Sequence, residues 1–189
     1  MKRKKNQGNS TLIVLLVIIV LIVGAVAAVL IIRHNRKYTT GEVDGRTYTN
    51  KWAKVKVTVP DDYIIDTKNQ KTDGFDVPFA FASKDGKSYC YVFTRECKPD
   101  MSNTEEEFRK MFGDGKFNVS YDKIGMQMNF STDHRTIAGE SYDCLVLSGA
   151  GARIVVAFRA VYDNGVFCIC TATVNGAYED DLFKMFEKN

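Results

Sequence analysis

Residues 154–174 read IVVAFRAVYDNGVFCICTATV, two apolar runs separated by Asp163-Asn164-Gly165. Asn-Gly between such runs is a strong β-hairpin signal, because both residues accept the positive φ of a tight turn. Each run is almost continuously apolar, which is typical of a strand covered on both faces. The stretch therefore predicts two strands in the centre of an antiparallel sheet, at residues 154–162 and 166–174.

Further strands are indicated on the N-terminal side of this hairpin. Residues 53–59 alternate between apolar and polar side chains, the pattern of a strand with one buried face. Turn signals at Asp85-Gly86 and at Ala138-Gly139-Glu140 predict two more hairpins. Their strands are residues 77–83 with 88–95, and residues 135–137 with 141–148. Two additional strands are predicted at residues 117–121 and 124–130. Apolar side chains occupy odd positions in the first and even positions in the second, and this switch requires a turn or a bulge between them.

A first helix is predicted after residue 102. Phe108, Met111 and Phe112 form an i, i+3, i+4 apolar stripe, and Gly113 begins the glycine-rich segment that ends it. A capping box would begin this helix, formed either by Ser102 with Glu105 or by Thr104 with Glu107.

A second helix is predicted at residues 177–187. Its apolar face consists of Tyr178, Leu182, Met185 and Phe186, and acidic residues occupy its first turn. Strands in hairpins with helices before and after them predict an α+β domain, an antiparallel sheet covered by helices.

The N-terminus predicts a membrane anchor. Residues 11–32 contain no charged side chain, and their length as a helix matches the hydrocarbon core of a bilayer. The competing interpretation is a cleaved signal peptide, since Ala25-Val26-Ala27 has the form of a cleavage site. The apolar run continues past that site, which favours an uncleaved signal anchor. The chain then divides into a basic segment (1–10), a transmembrane helix (11–32), a juxtamembrane linker (33–43) and a globular domain (44–189).

Charge predicts the orientation and excludes one class of partner. Four basic residues precede the span and three follow it, so the positive-inside rule alone hardly decides. Beyond residue 37, 19 basic residues stand against 23 acidic ones, so the domain is not a basic nucleic-acid binder. The net charge of 19 − 23 = −4 beyond the span breaks the tie, and we expect a single-pass protein of the cell membrane, with a cytoplasmic N-terminus and the domain outside.

Several short motifs resemble a known family. They are Gly45-Arg46-Thr47-Tyr48-Thr49-Asn50, a strand ending in Val59-Pro60, Asp62-Tyr63, and the later segment Ile137-Ala138-Gly139-Glu140 followed by Tyr142. This order resembles PsbP/Mog1-like domains of short membrane-anchored or secreted bacterial proteins, with Tyr63 where that family commonly has Trp. The resemblance implies an α/β/α sandwich with a central antiparallel sheet. It carries over no catalytic or binding residue, and the better-known members act by binding partner proteins.

Candidate site residues are few. Trp52 and Tyr63 are candidates for a binding surface if neighbouring aromatic side chains prove exposed. The only histidine in the predicted domain, His134, could serve as a base for Cys168 or Cys170 in a cysteine-dependent enzyme. A histidine in a turn between strands is the favoured interpretation, and the cysteine–histidine pair is the alternative. No sequence pattern predicts a metal site or a cofactor.

The five cysteines predict no particular chemistry. They are Cys90, Cys97, Cys144, Cys168 and Cys170, and none forms a Cys-x-x-Cys motif. Buried free thiols that act as small apolar side chains are the favoured interpretation, although an extracytoplasmic location permits disulfides.

Together these features predict a membrane-anchored extracytoplasmic module that binds a protein or a small ligand without catalysis. Two alternatives stay open: the cysteine-dependent enzyme, and a scaffold that faces the cytosol.

Overall fold

The structure is a computed structural model that describes residues 20, 21, 23–25, 36–113, 129–149, 151–174 and 179–189. The chain divides into two compact units, Met1–Lys37 and Tyr38–Asn189. The second unit thus begins at Tyr38, six residues before the predicted domain boundary.

Most of the predicted membrane span lies outside the described residues. Val20, Leu21 and residues 23–25 are helical, and their apolar side chains are exposed. Across the described parts of the chain, no helix combines the length and apolar character that a membrane crossing needs. The predicted strand at 117–121 also lies outside the described residues. Of the predicted strand at 124–130, the structure describes the last two residues.

Strands form most of the second unit. In chain order they are β1 (Glu42–Asp44), β2 (Thr47–Asn50), β3 (Val55–Thr58), β4 (Tyr63–Asp66), β5 (Gln70–Thr72), β6 (Phe75–Ser83), β7 (Ser88–Glu96), β8 (Asn129–Ile137), β9 (Glu140–Gly149), β10 (Ala152–Val161), β11 (Gly165–Val174) and β12 (Phe186–Lys188). In the described part of this unit two helices accompany them, α1 (Met101–Gly113) and α2 (Glu179–Lys184).

Among the described residues the larger sheet has eight strands, all antiparallel to their neighbours. Its order is β4-β6-β7-β11-β10-β9-β8, and β5 pairs with β6 beyond β4. The three predicted hairpins, β6–β7, β8–β9 and β10–β11, are confirmed, and β10 and β11 occupy the predicted central positions.

Both faces of this sheet are apolar, which explains the continuous apolar runs. On β10, Val155 and Ala157 belong to one buried cluster, while Val156 and Phe158 belong to the cluster on the opposite face. The second cluster packs under α1 through Phe108 and Met111. Alternate side chains of one strand therefore serve two separate cores.

The first cluster lies between the larger sheet and a four-stranded sheet of order β1-β2-β3-β12. Ala53, Val55, Val57 and Val59 are all at most 1% exposed, so the predicted buried face of this segment is confirmed. Helix α2 contributes Leu182 and Phe183 to the same cluster.

The predicted α/β/α sandwich is therefore wrong. One face of the larger sheet is covered by α1, but the other is covered by a second sheet together with the six-residue α2. The described domain is mainly β, because β1, β2, β3 and β12 form a layer where helices were expected.

The predicted C-terminal helix also ends early. Helix α2 stops at Lys184, and Phe186 pairs with Val57 as part of β12. The edge of β3 offers unpaired backbone groups, and pairing with them satisfies donors and acceptors that a fraying helix end would leave open.

Helix α1 starts differently from the prediction. The backbone N–H of Asn103 donates to Asp100 Oδ1 at 3.0 Å, so Asp100 is the N-cap. Neither Ser102 nor Thr104 caps the helix: Thr104 lies inside it, and its hydroxyl donates to the carbonyl of Asp100 at 2.7 Å.

Candidate functional site

Trp52 and Tyr63 lie in the core rather than on a surface. Trp52 is 1% exposed, its Nε1 donates to Asn164 Oδ1 at 2.9 Å, and its ring meets Tyr38 edge-on at 5.0 Å. Tyr63 is 8% exposed and packs edge-on against Phe81. Both side chains stabilise the layer between the two sheets and leave no face for a partner.

The structure does not bring the cysteines and His134 together. Cys168 pairs in register with Phe158, Phe158 with Asp143, and Asp143 with His134. Three strand spacings thus separate Cys168 from His134, about 14 Å. Cys170 lies two residues further along β11, so neither thiol lies within reach of the imidazole.

The buried thiols are also poorly nucleophilic. All five cysteines are free, and four are buried. Burial raises the pKa of Cys144 and that of Cys170 to about 12 each, and it raises the pKa of Cys90 and Cys168 well above the ordinary value. A thiol in this state does not ionise at neutral pH and is a poor nucleophile.

His134 instead belongs to a shallow cleft between β8, β9 and the start of α1. The cleft has a volume of about 260 Å³, and His134 Nδ1 lies 2.9 Å from Asp143 Oδ1 at its wall. The imidazole side chain is 77% exposed. Across the described residues, no cluster of three or more His, Cys, Asp or Glu side chains is arranged to hold a metal ion.

A larger groove opens on the other face of β8, and we call it the edge groove. It has a volume of about 390 Å³ and runs between the end of β8, helix α2 and β12. Its floor is apolar, formed by the buried side chains of Ile137, Phe183 and Phe186. Arg135, Asp180 and Lys184 also line it, and Arg135 Nη1 lies 3.5 Å from Asp180 Oδ1.

Arg135 is held in place by a buried carboxylate. Glu179, whose side chain is 7% exposed, accepts from Arg135 Nη2 and from Arg153 Nε, each at 2.5 Å. The guanidinium of Arg135 also lies over the ring of Phe183, 5.1 Å from its centre. These contacts fasten α2 to the larger sheet and give the groove a rigid wall.

Strand β8 borders the edge groove and forms one edge of the larger sheet. Within the described parts of the chain, β9 is its one neighbouring strand. Ile137 faces Glu140 across a two-residue turn, so this pair exchanges hydrogen bonds and alternate pairs do not. The backbone N–H and C=O groups of Phe130, Thr132, His134 and Thr136 therefore point away from β9.

A hydrogen bond supports this assignment. The backbone N–H of His134 donates to the carboxylate of Asp133 at 2.8 Å, which it could not do if it were bonded to β9. The other outward-pointing groups of β8 have no backbone partner among the described residues.

The opposite edge of the sheet is built differently. There two short strands, β4 and β5, lie end to end along β6. A register shift between Asp76 and Phe79 interrupts the pairing of β6 with β7, on the inner side of these edge strands. Very short edge strands are a common means of protecting the edge of a sheet from further pairing. The nine-residue β8 pairs with β9 without a register shift, so among the described residues it is the edge of the larger sheet that is better suited to accept another strand.

The groove residues were not predicted from the sequence. Arg135 and Ile137 were expected in a strand, and Phe186 on the apolar face of a helix, but Phe183 and Glu179 carried no separate signal. Glu179 reads as an acidic residue at a helix start, and its burial between two arginines depends on residues 26 and 44 positions away.

Comparisons with known proteins leave the class of this protein open. No protein-family model matches the chain, and no curated protein sequence does. A crystal structure from Bacteroides thetaiotaomicron is similar over 78% of this chain and 49% of that chain, with 10% identity and a TM-score of 0.34. The chain thus spans about half the length of that protein, and the likeness supports no argument about function. The PsbP/Mog1-like resemblance stays a prediction.

Proposed function

We propose that this protein is a membrane-anchored, extracytoplasmic binding module that holds an extended polypeptide strand at β8. Residues 11–32 would anchor it, and the globular unit would act by contact rather than by catalysis. The observation that carries the proposal is the uninterrupted edge of β8 beside an apolar groove.

Strand addition uses both features. Backbone groups of an incoming strand would pair with the outward-pointing groups of Thr132, His134 and Thr136 and supply affinity. Alternate side chains of that strand would lie over the edge groove, where Ile137, Phe183 and Phe186 offer an apolar floor. The raised pKa values of the buried thiols, and the distance of Cys168 and Cys170 from His134, give no support to a cysteine-dependent enzyme.

Site-specific photo-crosslinking in intact membranes tests the proposal. A photoreactive residue at Thr132 should give discrete adducts, because it lies on the edge that accepts a strand. The same residue at Ile64, on β4 and 61% exposed, is the matched position at the opposite edge and should give none.

A second variant shows whether the backbone is involved. Thr136→Pro removes one outward-pointing N–H without touching the ladder to β9, and should abolish the adduct at Thr132. Thr136→Ala keeps that N–H and should preserve the adduct at Thr132. Equal adducts at Thr132 and Ile64, or an adduct indifferent to proline, would contradict strand addition.

Orientation needs its own experiment. Protease added to intact cells should remove the globular unit if the N-terminus is cytoplasmic, and leave a fragment of the size of the anchor. A globular unit that is digested only after the membrane is opened would instead indicate a scaffold facing the cytosol.

A further inference from the structure

We infer that the strand accepted by β8 is β8 of a second copy of this chain, aligned antiparallel around His134. The inference rests on the proposed function and names the partner of the same edge. It follows from the alternation of outward- and inward-pointing backbone groups along β8 and from the charged side chains of this strand. The short strands at the opposite edge of the sheet also contrast with the nine-residue β8.

Parity limits how two β8 strands can align. The groups that point outward belong to Phe130, Thr132, His134 and Thr136, so hydrogen bonds form only where these residues face one another. In a symmetric antiparallel pair, a single residue must then lie at the two-fold axis. Alignments with the axis between two residues would place outward-pointing groups opposite inward-pointing ones.

Charge favours one of the remaining alignments, because among the residues of β8 an axis at His134 is the one that brings opposite charges face to face. An axis at Asp133 sets two aspartates directly opposite each other, and an axis at Arg135 sets two arginines opposite each other; like charges in these positions destabilise a sheet. An axis at His134 places Asp133 opposite Arg135 of the second copy, and does so twice. Thr132 then faces Thr136 of the second copy.

The contacts that Asp133 and Arg135 make within one chain are compatible with their pairing across two copies. Asp133 lies 3.3 Å from Arg135 Nε of its own chain, and the two side chains are 49% and 19% exposed. In the dimer, the N–H of His134 would pair with the carbonyl of His134 in the second copy. The Asp133 carboxylate, released from that N–H, would lie between two arginines.

The alignment predicts a specific pattern of disulfides in the full-length chain in membranes. His134→Cys sets two thiols opposite each other at the axis, where the Cα atoms are about 5.5 Å apart, within the range of a disulfide. Oxidation should give a covalent dimer. Thr132→Cys alone and Thr136→Cys alone should give at least tenfold less, because each thiol lies about 14 Å along the strand from its counterpart.

Two further samples complete the pattern. Coexpression of Thr132→Cys with Thr136→Cys should restore the covalent dimer, since these positions face each other across the two copies. The unmodified chain, with four buried cysteines and the half-buried Cys97, is the background control.

Charge reversal tests the pairing that selects the alignment. Asp133→Lys in the His134→Cys chain places lysine opposite Arg135 of the second copy and should reduce the dimer at least tenfold. Asp73→Lys, in the turn between β5 and β6, is the matched control and should leave it unchanged.

The outcomes separate this inference from the proposed function. No dimer at His134, or equal cross-linking at all three single positions, overturns the second copy as partner. The photoreactive residue at Thr132 could still give an adduct to another protein that Thr136→Pro abolishes. In that case strand addition stands and only the identity of the partner is wrong. If both results are negative, both proposals fall.

Discussion

At the scale of single residues, this protein uses cysteine as a small apolar side chain. Cys90 and Cys144 contribute to the core between the sheets, and Cys168 and Cys170 to the core under α1. The sequence-based interpretation of buried free thiols agrees with the structure. The two pairs lie on opposite faces of the larger sheet, which keeps their sulfur atoms apart.

Thiol labelling should report this burial directly. At pH 7.5 a water-soluble disulfide reagent should label one thiol rapidly, that of the half-buried Cys97, and all five after denaturation. Cys97→Ser should remove the rapid reaction. Rapid labelling of two or more thiols in the native protein would contradict the described packing.

At the scale of elements, the C-terminal segment shows how tertiary pairing overrides a local pattern. Leu182 and Phe186 have helical spacing, and both are buried, but Phe186 reaches the core from a strand. A helix continued to residue 187 would keep the i, i+4 spacing of Leu182 and Phe186 on one face. It would leave β3 without the pairing that residues 186–188 now provide.

The contact between α2 and the larger sheet predicts a large effect at one position. Glu179→Ala should lower the free energy of unfolding by about 2–4 kcal/mol, because it leaves Arg135 and Arg153 without their shared carboxylate. Urea denaturation of the full-length chain measures it.

Asp180→Ala is the control for this measurement. Its side chain is 81% exposed and lies 3.5 Å from Arg135, so its loss should change the free energy of unfolding by no more than about 0.5 kcal/mol. Equal effects of the two substitutions would show that Glu179 does not fasten α2.

At the scale of the whole molecule, one sheet buries apolar side chains on both faces. The core between the sheets contains Val155 and Ile169, and the core under α1 contains Val156 and Cys170. Adjacent residues of the central strands therefore belong to different cores, so a shift of one residue in register would exchange the two sets. The interior contains ionisable thiols and phenols that must stay neutral.

This interior predicts a loss of stability in alkali. Burial raises the pKa of Cys144, Cys170 and Tyr38 to about 12, while the unfolded chain ionises thiols near 9 and phenols near 10. Because the unfolded chain releases these protons first, the stabilisation is complete below pH 9 and declines as the pH rises towards 12. The urea midpoint should therefore be lower at pH 10.5 than at pH 7.5.

A variant isolates the contribution of one group to this pH dependence. Cys144→Ala removes a buried thiol, so its urea midpoint should fall less steeply between the two pH values than that of the unmodified chain. An identical slope would mean that the Cys144 thiol does not contribute.

Local features of the sequence determined the hairpins, the buried face of residues 53–59 and the central place of residues 154–174. Periodicity and turn chemistry act between neighbouring residues, so they can be recognised without the fold. The tertiary structure alone decided that a second sheet covers one face, that Phe186 ends in a strand and that Cys168 lies far from His134. It also decided that β8 is an edge strand of the larger sheet among the described residues and that Glu179 is buried, because strand order and this burial depend on contacts between residues far apart in the chain.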